Sequence, residues 1–495
     1  MKPHSSFPEK VLIIGSGIGG LSTAIILAKL GFDVTVLEKN PKPGGLMRSY
    51  TRDGIECAVG VHYLGSLDKG QILQNFFDYL GVTDTIPVSR MGQDGIIDRY
   101  LFDSSPNHPP KFDLPQGMDA LEDNLKQTFP KEQEKIVKLI DPIRRASDQL
   151  HMLDLLYSTG SDFSLLDQSQ PMGEILNDLG CSPGLRSVLA IPSCWIGVPV
   201  DDCPAYYHNI ALASYVSSSY RLKCSGSDMA DALAGRLKEL GGKIITNAEI
   251  SEIHVRSRVV TGLQFQSGES LTASTVIGAV HPKIVLKMLP QGAVKPSYRQ
   301  RISNLEDTHG IFSVHACLDG DNLPEIPYNI FKIDTDQDGN VPDLKYYQIR
   351  KSERKGINLL SILTSGKDEL WAPWVHTKSG RRGNDYLAAK EQHATGLVRE
   401  AEELFGSFKG LKIIDAYTPL TMRDWVNSPG GSAYGVLRSS SQMLGTALLN
   451  RTAVKGLYLA GQNVMAPGII GTIMGSFSTV KLILGDKEFR EMVRL

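Results

Sequence analysis

At 495 residues the chain is long enough for two or three domains and a large core, which excludes a mini-protein or an isolated motif. Lys and Arg number 52 against 54 Asp and Glu, a net charge of −2, so the basic excess that drives nucleic-acid binding is missing and no nucleic-acid partner is expected. Glycine is over-represented at 48 residues, about one in ten against a usual share of about 7%, and has no collagen period, so the fold is expected to need bare backbone.

The run KVLIIG predicts a buried parallel strand. GLSTAIILAKLG predicts a helix with Leu21, Ile25 and Ala28 along it and Gly31 as its stop, and DVTVLEK predicts a second strand. Between the first strand and the helix sits Gly15-Ser16-Gly17-Ile18-Gly19-Gly20, and Glu38 closes the second strand 23 residues after Gly15. Strand, glycine loop, helix, strand, acid is the order of the dinucleotide fingerprint. Gly15 permits the turn, Gly17 lets a pyrophosphate approach the backbone, and Gly20 lets the helix pack close, while amides at the helix start face the phosphates. Glu38, with Lys39 beside it, is placed at the ribose; a carboxylate there repels a 2′-phosphate, so FAD or NAD fits better than NADP. Pro43-Gly44-Gly45-Leu46-Met47-Arg48-Ser49-Tyr50 and then Val59-Gly60-Val61-His62-Tyr63 extend the phosphate site.

Further on, KEQEKIVKLIDPIRRASDQLHMLDLL places Ile136, Leu139, Ile140 and Ile143 on one helical face. SDMADALAGRLKEL is a helix with Met229, Leu233, Leu237 and Leu240 in register, stopped at Gly241-Gly242, and Lys243 to Ile245 begin a strand. A strand hairpin and a final strand, Thr275 to Val280, follow. IFSVHACL, KYYQIR and INLLSILT read as strands of an antiparallel sheet. Asp334-Thr335-Asp336-Gln337-Asp338-Gly339 imitates the start of a calcium loop, but its twelfth position is Lys345 and its flanks are strands, so a polar turn is expected. No H-E-x-x-H or comparable ligand spacing occurs, and no metal site is expected.

At the carboxyl end KGLYLAGQNVMAPGIIGTIMGSFSTVKLILG predicts a strand from Leu457 to Ala460, a polar tip of Gly461, Gln462 and Asn463, a turn at Gly468, and a helix beginning near Ile469. The carboxamides suit ribityl hydroxyls or phosphate. Helix-start amides near Ile470 and Gly471 suit the flavin N1 and C2 carbonyl, which decides for FAD. Val11 to Ala28 and Gly456 to Val480 are each uncharged over a span-like length. Their glycines argue against membrane crossing, and the first, which follows Lys2 and Lys10, lacks an A-x-A-like site; no signal peptide or transmembrane helix is expected. Cys57, Cys181, Cys194, Cys203, Cys224 and Cys317 contain no C-x-x-C pair and are expected to be reduced, which predicts a cytoplasmic chain.

These segments together resemble the FAD-dependent phytoene desaturase, carotenoid isomerase and retinol saturase superfamily, which shares its fold with amine oxidases. Val59-Gly60-Val61-His62-Tyr63-Leu64-Gly65 is similar to the saturase pattern G-[IV]-H-Y-[IL]-G. Gly461-Gln462-Asn463 with Gly468-Ile469-Ile470-Gly471 is similar to its T-G-Q-D…G-x-x-G ending, and His208 and Tyr220 match a mid-chain segment. Three positions depart from the pattern: Asn463 for an acid, Arg221 for proline and Ser225 for glycine. The resemblance implies an α/β fold, a discontinuous Rossmann-like FAD-binding domain with a mixed-sheet and helical substrate (cap) domain. Residues 1–68, 221–282 and 421–495 would form the FAD-binding segments, 69–220 a helical cap and 283–420 the substrate-domain sheet, with the Ile250 backbone at the adenine.

The expected cofactor contacts are thus Gly15, Gly17, Ile18, Gly19, Gly20, Glu38, Lys39, Gly44, Gly45, Leu46, Arg48, Gly60, Val61, His62, Ile250, Gly461, Gln462, Asn463, Gly468, Ile469, Ile470 and Gly471. The expected function is FAD-dependent chemistry on C=C bonds of a long apolar polyene, saturation ahead of isomerisation or desaturation. A prenyl-binding escort and a flavin amine oxidase are the rivals from other classes. If hydride adds to one carbon the neighbouring carbon needs a proton, and His62, Tyr434 and His208 are the candidate donors. No second G-x-G-x-x-G exists, so the electron donor or acceptor lies outside the chain, and any membrane contact is expected to be peripheral, through the cap.

Overall fold

A computed structural model describes residues 9–103, 108–151, 169–223, 225–321, 323–408, 410–446 and 449–495. Lys2, Cys224 and the end of the predicted helix beyond His151 lie outside them. The amino-terminal pattern folds into strand β1 (Lys10–Ile14), helix α1 (Ile18–Lys29) and strand β2 (Asp33–Leu37). The chain re-enters the same layer through α2 (Gly226–Glu239), β3 (Lys243–Ile245) and β4 (Thr275–Gly278), then through β5 (Leu457–Leu459) and α3 (Gly468–Leu484). The five strands are parallel, in the order β3-β2-β1-β4-β5.

Side chains alternate across this sheet. Val11 and Ile13 face a core with Leu21 and Ile25 of α1 and Phe477 of α3, whereas Leu12 and Ile14 face a core shared with Ile253 and Leu263 of an antiparallel hairpin. Bare backbone brings α1 and α3 together: a Cβ on Gly19 would lie 2.5 Å from Gly461 Cα, and Ser476 Oγ donates to Gly19 O at 3.0 Å. Each span-like stretch is therefore a strand of the sheet followed by a helix buried against it. Among the described residues no single helix is long and apolar enough to cross a membrane.

Helix α2 starts at Ser225, whose hydroxyl accepts from Asp228 N while the Asp228 carboxylate accepts from Ser225 N. This capping box accounts for serine at a position where the family pattern has glycine. A second, seven-stranded sheet is built on Ile311–Asp319, Asn329–Asp334, Asp343–Lys351, Ile357–Ser365 and Lys412–Tyr417. Its last two strands, Asp98–Phe102 and Lys111–Leu114, come from the stretch read as helical. Asp98–Phe102 pairs in parallel with Asn329–Asp334, so the sheet is mixed. The helices Gln133–His151, Pro183–Cys194 and Ala205–Ser217 pack beside it, with Ile136, Leu139, Ile140 and Ile143 buried as their spacing predicts.

Candidate cofactor and substrate site

The carboxyl ends of the parallel strands, at Ile14, Leu37, Ala279 and Ala460, border a cleft of about 520 Å³. Its wall brings together Gly15, Gly17, Ile18, Gly19, Glu38, Lys39, Gly44, Gly45, Leu46, Arg48, Gly60, Val61, Ile250, Gly461, Gln462, Asn463, Gly468 and Ile469. Four expected contacts stand elsewhere. Gly20 packs under the loop, where a Cβ would lie 2.0 Å from Gly15 O; Ile470 and Gly471 face an adjoining apolar cavity; His62 faces two other cavities.

The glycines differ in what they do. Gly15 takes φ +96°, a turn conformation that side chains rarely adopt. Gly17 has an ordinary φ of −62°, and a Cβ there would meet no atom within 4 Å; it would occupy the cleft itself, the space a diphosphate needs beside the α1 amides. Glu38 does more than face a ribose. One carboxylate oxygen accepts from Ser16 N at 3.1 Å and Ser16 Oγ at 2.6 Å, the other from Asn40 N at 2.9 Å and Asn40 Nδ2 at 2.8 Å. Glu38 thus ties the glycine loop to the end of β2, with Ser16 and Asn40 as partners that the motif alone does not identify. Burial lowers the pKa of Lys39 and of Arg48, and both line the cleft, where a diphosphate would supply the opposite charge. Asn463 Oδ1 accepts from Val436 N at 2.9 Å, so this carboxamide fastens the turn after Tyr434.

Two apolar cavities adjoin the cleft. One, of about 470 Å³, lies between the Ala205–Ser217 helix and α3 and meets the cleft at Gly468 and Ile469. The other, of about 290 Å³, meets it at Tyr434, and the two cavities share Tyr63 and Trp195. Gly197 makes room for this junction, since a Cβ there would lie 2.6 Å from the Tyr434 ring. Burial raises the Tyr434 hydroxyl to about 12, so it carries its proton at neutral pH.

Both ring nitrogens of His62 are buried and unpartnered, and desolvation lowers its pKa to about 3, so the ring is neutral. Orphaned buried nitrogens beside a cleft await a ligand group. His208 does not join the site. Nε2 lies 2.8 Å from Leu189 O and Nδ1 3.1 Å from the Asn209 carboxamide, contacts that tie two cap helices together. Against the cavities lies a buried polar cluster that the sequence pattern does not mark. Asp98 Oδ1 accepts from Tyr215 Oη at 2.7 Å and Asn329 Nδ2 at 2.9 Å, and Arg221 donates to Asn329 Oδ1 at 2.9 Å. The arginine found in place of proline thus anchors the cap sheet.

The chain matches the model for flavin containing amine oxidoreductases over residues 18–477. It is 26% identical to the all-trans-retinol 13,14-reductase of Macaca fascicularis over 97% of this chain and 86% of that protein. It is 23% identical to a 4,4'-diapophytoene desaturase (4,4'-diapolycopene-forming) of Methylomonas sp over 88% of this chain and 87% of that protein. Among solved structures an oxidoreductase from Methanosarcina mazei superposes with a TM-score of 0.66, covering 95% of this chain and all of that one at 16% identity, a likeness of fold.

Proposed function

Because the chain belongs to the flavin containing amine oxidoreductase family and is an FAD-dependent oxidoreductase, we propose that it reduces a C=C bond of a long apolar polyene. The observation that carries this reading is the junction at Tyr434, where a protonated phenol stands between the cofactor cleft and the smaller apolar cavity. The residues that would hold FAD are the Gly15–Gly20 loop and the start of α1 at the diphosphate, Glu38 and Ile250 toward the ribose and adenine, and Gln462, Arg48 and the start of α3 toward the flavin. Bound FAD supplies the two-electron chemistry, hydride to or from carbon. The chain does the rest. The apolar walls exclude water and hold the polyene, and Tyr434 Oη gives a proton to the carbon next to the one that takes hydride, to be reprotonated from solvent. His62, neutral and unpartnered, is a hydrogen-bond partner for cofactor or substrate and not an acid.

The identity to retinol 13,14-reductases supports saturation, and the desaturase relative supports the reverse direction on the same walls. Peripheral membrane contact is supported by Leu444, 79% exposed, beside Met443 and Thr446 in the wall of the larger cavity. The test is to supply the FAD-loaded enzyme with dithionite and all-trans-retinol or a carotenoid and to weigh the products. A gain of two hydrogens is expected. Bound FAD with no polyene product, and peroxide formed from amines, would overturn the reading.

A further inference from the structure

We infer that the larger apolar cavity selects a substrate bearing a carboxylate, and that Arg438 reads it. This rests on the polyene reading above and narrows its substrate class. Arg438 is 3% exposed and lines the cavity of about 470 Å³. Among the described residues its guanidinium makes one hydrogen bond, from Nη2 to Asn463 O at 2.5 Å, while Nε is buried with no acceptor and no carboxylate pairs with it. Burial lowers its pKa, and only the Tyr207 phenol, with no carboxylate, works against that effect.

The other buried arginines are differently served. Arg186 binds Asp201, Asn177, Asn340 and Gly173 O; Arg382 pairs with Asp424 and Leu420 O; Arg221 donates to Ile326 O and to Asn329, so although Nε of Arg221 and of Arg382 is also unpartnered, each of these guanidiniums has at least two acceptors against one for Arg438. A guanidinium has five N–H donors in a rigid fork, and an unpaired buried cation is costly. Leaving Arg438 so exposes a charge for a ligand to meet. Nη2 is anchored on the backbone of Asn463, which holds the plane in place and leaves Nη1 without an acceptor among the described residues, the donor that a carboxylate in the cavity can meet in a charge-assisted bond.

The charge count favours a carboxylate over a phosphate ester. Among the described residues the cavity wall holds no other cation, so one positive charge meets one negative charge, whereas a diphosphate would leave charge uncompensated. Arg438 stands in the cavity wall and not in that of the cofactor cleft, so the partner it lacks is a substrate group.

Three ligands with one polyene and different heads test this: all-trans-retinoic acid, all-trans-retinol and methyl retinoate, titrated into oxidised FAD-loaded enzyme and followed by quenching of tryptophan fluorescence. The wild type should bind the acid at least about tenfold more tightly than the alcohol or ester. Arg438→Met should lose about tenfold or more for the acid and less than about threefold for the ester, with Arg438→Lys intermediate. FAD content and thermal midpoint are read for each variant. Equal affinity for the three heads, equal weakening of all three, tighter binding of geranylgeranyl phosphate than of the acid, or loss of FAD from both variants would overturn the inference. Acid selectivity without turnover of any polyene would sink the proposed reaction and leave the carboxylate site standing. Turnover of retinol and ester without head-group preference would do the reverse.

Discussion

Asp98 offers a sharp test of the buried cluster behind the cavities. Its side chain has no exposed surface; Oδ1 takes bonds from Tyr215 and Asn329, and Oδ2 meets no donor. Burial raises its pKa to about 7 from an ordinary 3.8. Below pH 3.8 the group is neutral in both folded and unfolded chains. Between 3.8 and 7 the unfolded chain gives up its proton while the folded one keeps it, so stability falls as pH rises, and above 7 the loss is complete. At about 1.36 kcal/mol per tenfold change in proton affinity the full loss is about 4 kcal/mol. Asp98→Asn has no proton to lose, and its oxygen can still accept from Tyr215 and Asn329. An unfolding entropy of about 2.1 cal/mol/K per residue makes about 1 kcal/mol per degree for a chain of 495 residues. The thermal midpoint of Asp98→Asn, measured by circular dichroism against wild type, should therefore improve by about 3 °C more at pH 8 than at pH 5. An equal difference at both pH values would show that Asp98 is ionised in the folded protein and refute the reasoning.

Gly17→Val should abolish bound FAD yet leave the apoprotein's thermal midpoint within about 1 °C, because its side chain enters open cleft; full yellow colour would refute the loop assignment. Gly20→Ala should instead destabilise the fold by about 2 kcal/mol or more, read as a lower thermal midpoint, since its Cβ would strike Gly15 O. Tyr434→Phe should keep FAD and slow single-turnover reduction of a polyene by about 10²-fold or more, the share of a positioned acid. His62→Ala should keep FAD and slow product formation, and the pH–rate profile of both wild type and variant should lack a histidine limb near neutrality, because the ring titrates at about 3.

The glycine loop was legible because strand, turn, helix and acid follow one another in the chain, and local order carries the pattern. Glu38 was legible by place, but its ties to Ser16 and Asn40 depend on how the loop folds back over it. Asp98–Phe102 was missed as a strand because one of its partners, Asn329–Asp334, lies more than two hundred residues away, and the other, the four-residue Lys111–Leu114, is too short to show a clear alternation. His208 matches a family segment in sequence, yet its two hydrogen bonds set it to fastening helices. Arg438 stands in an ordinary run, YGVLRSS, and what distinguishes it is that, among the described residues, no carboxylate pairs with its buried charge, which a sequence cannot display.

Anaerobic mixing of the dithionite-reduced enzyme with a polyene tests the central claim most directly. Reappearance of the oxidised flavin spectrum, with a product two hydrogens heavier, is the predicted result. Flavin that stays reduced while the polyene is untouched, or changes only its geometry, would contradict C=C reduction at this site.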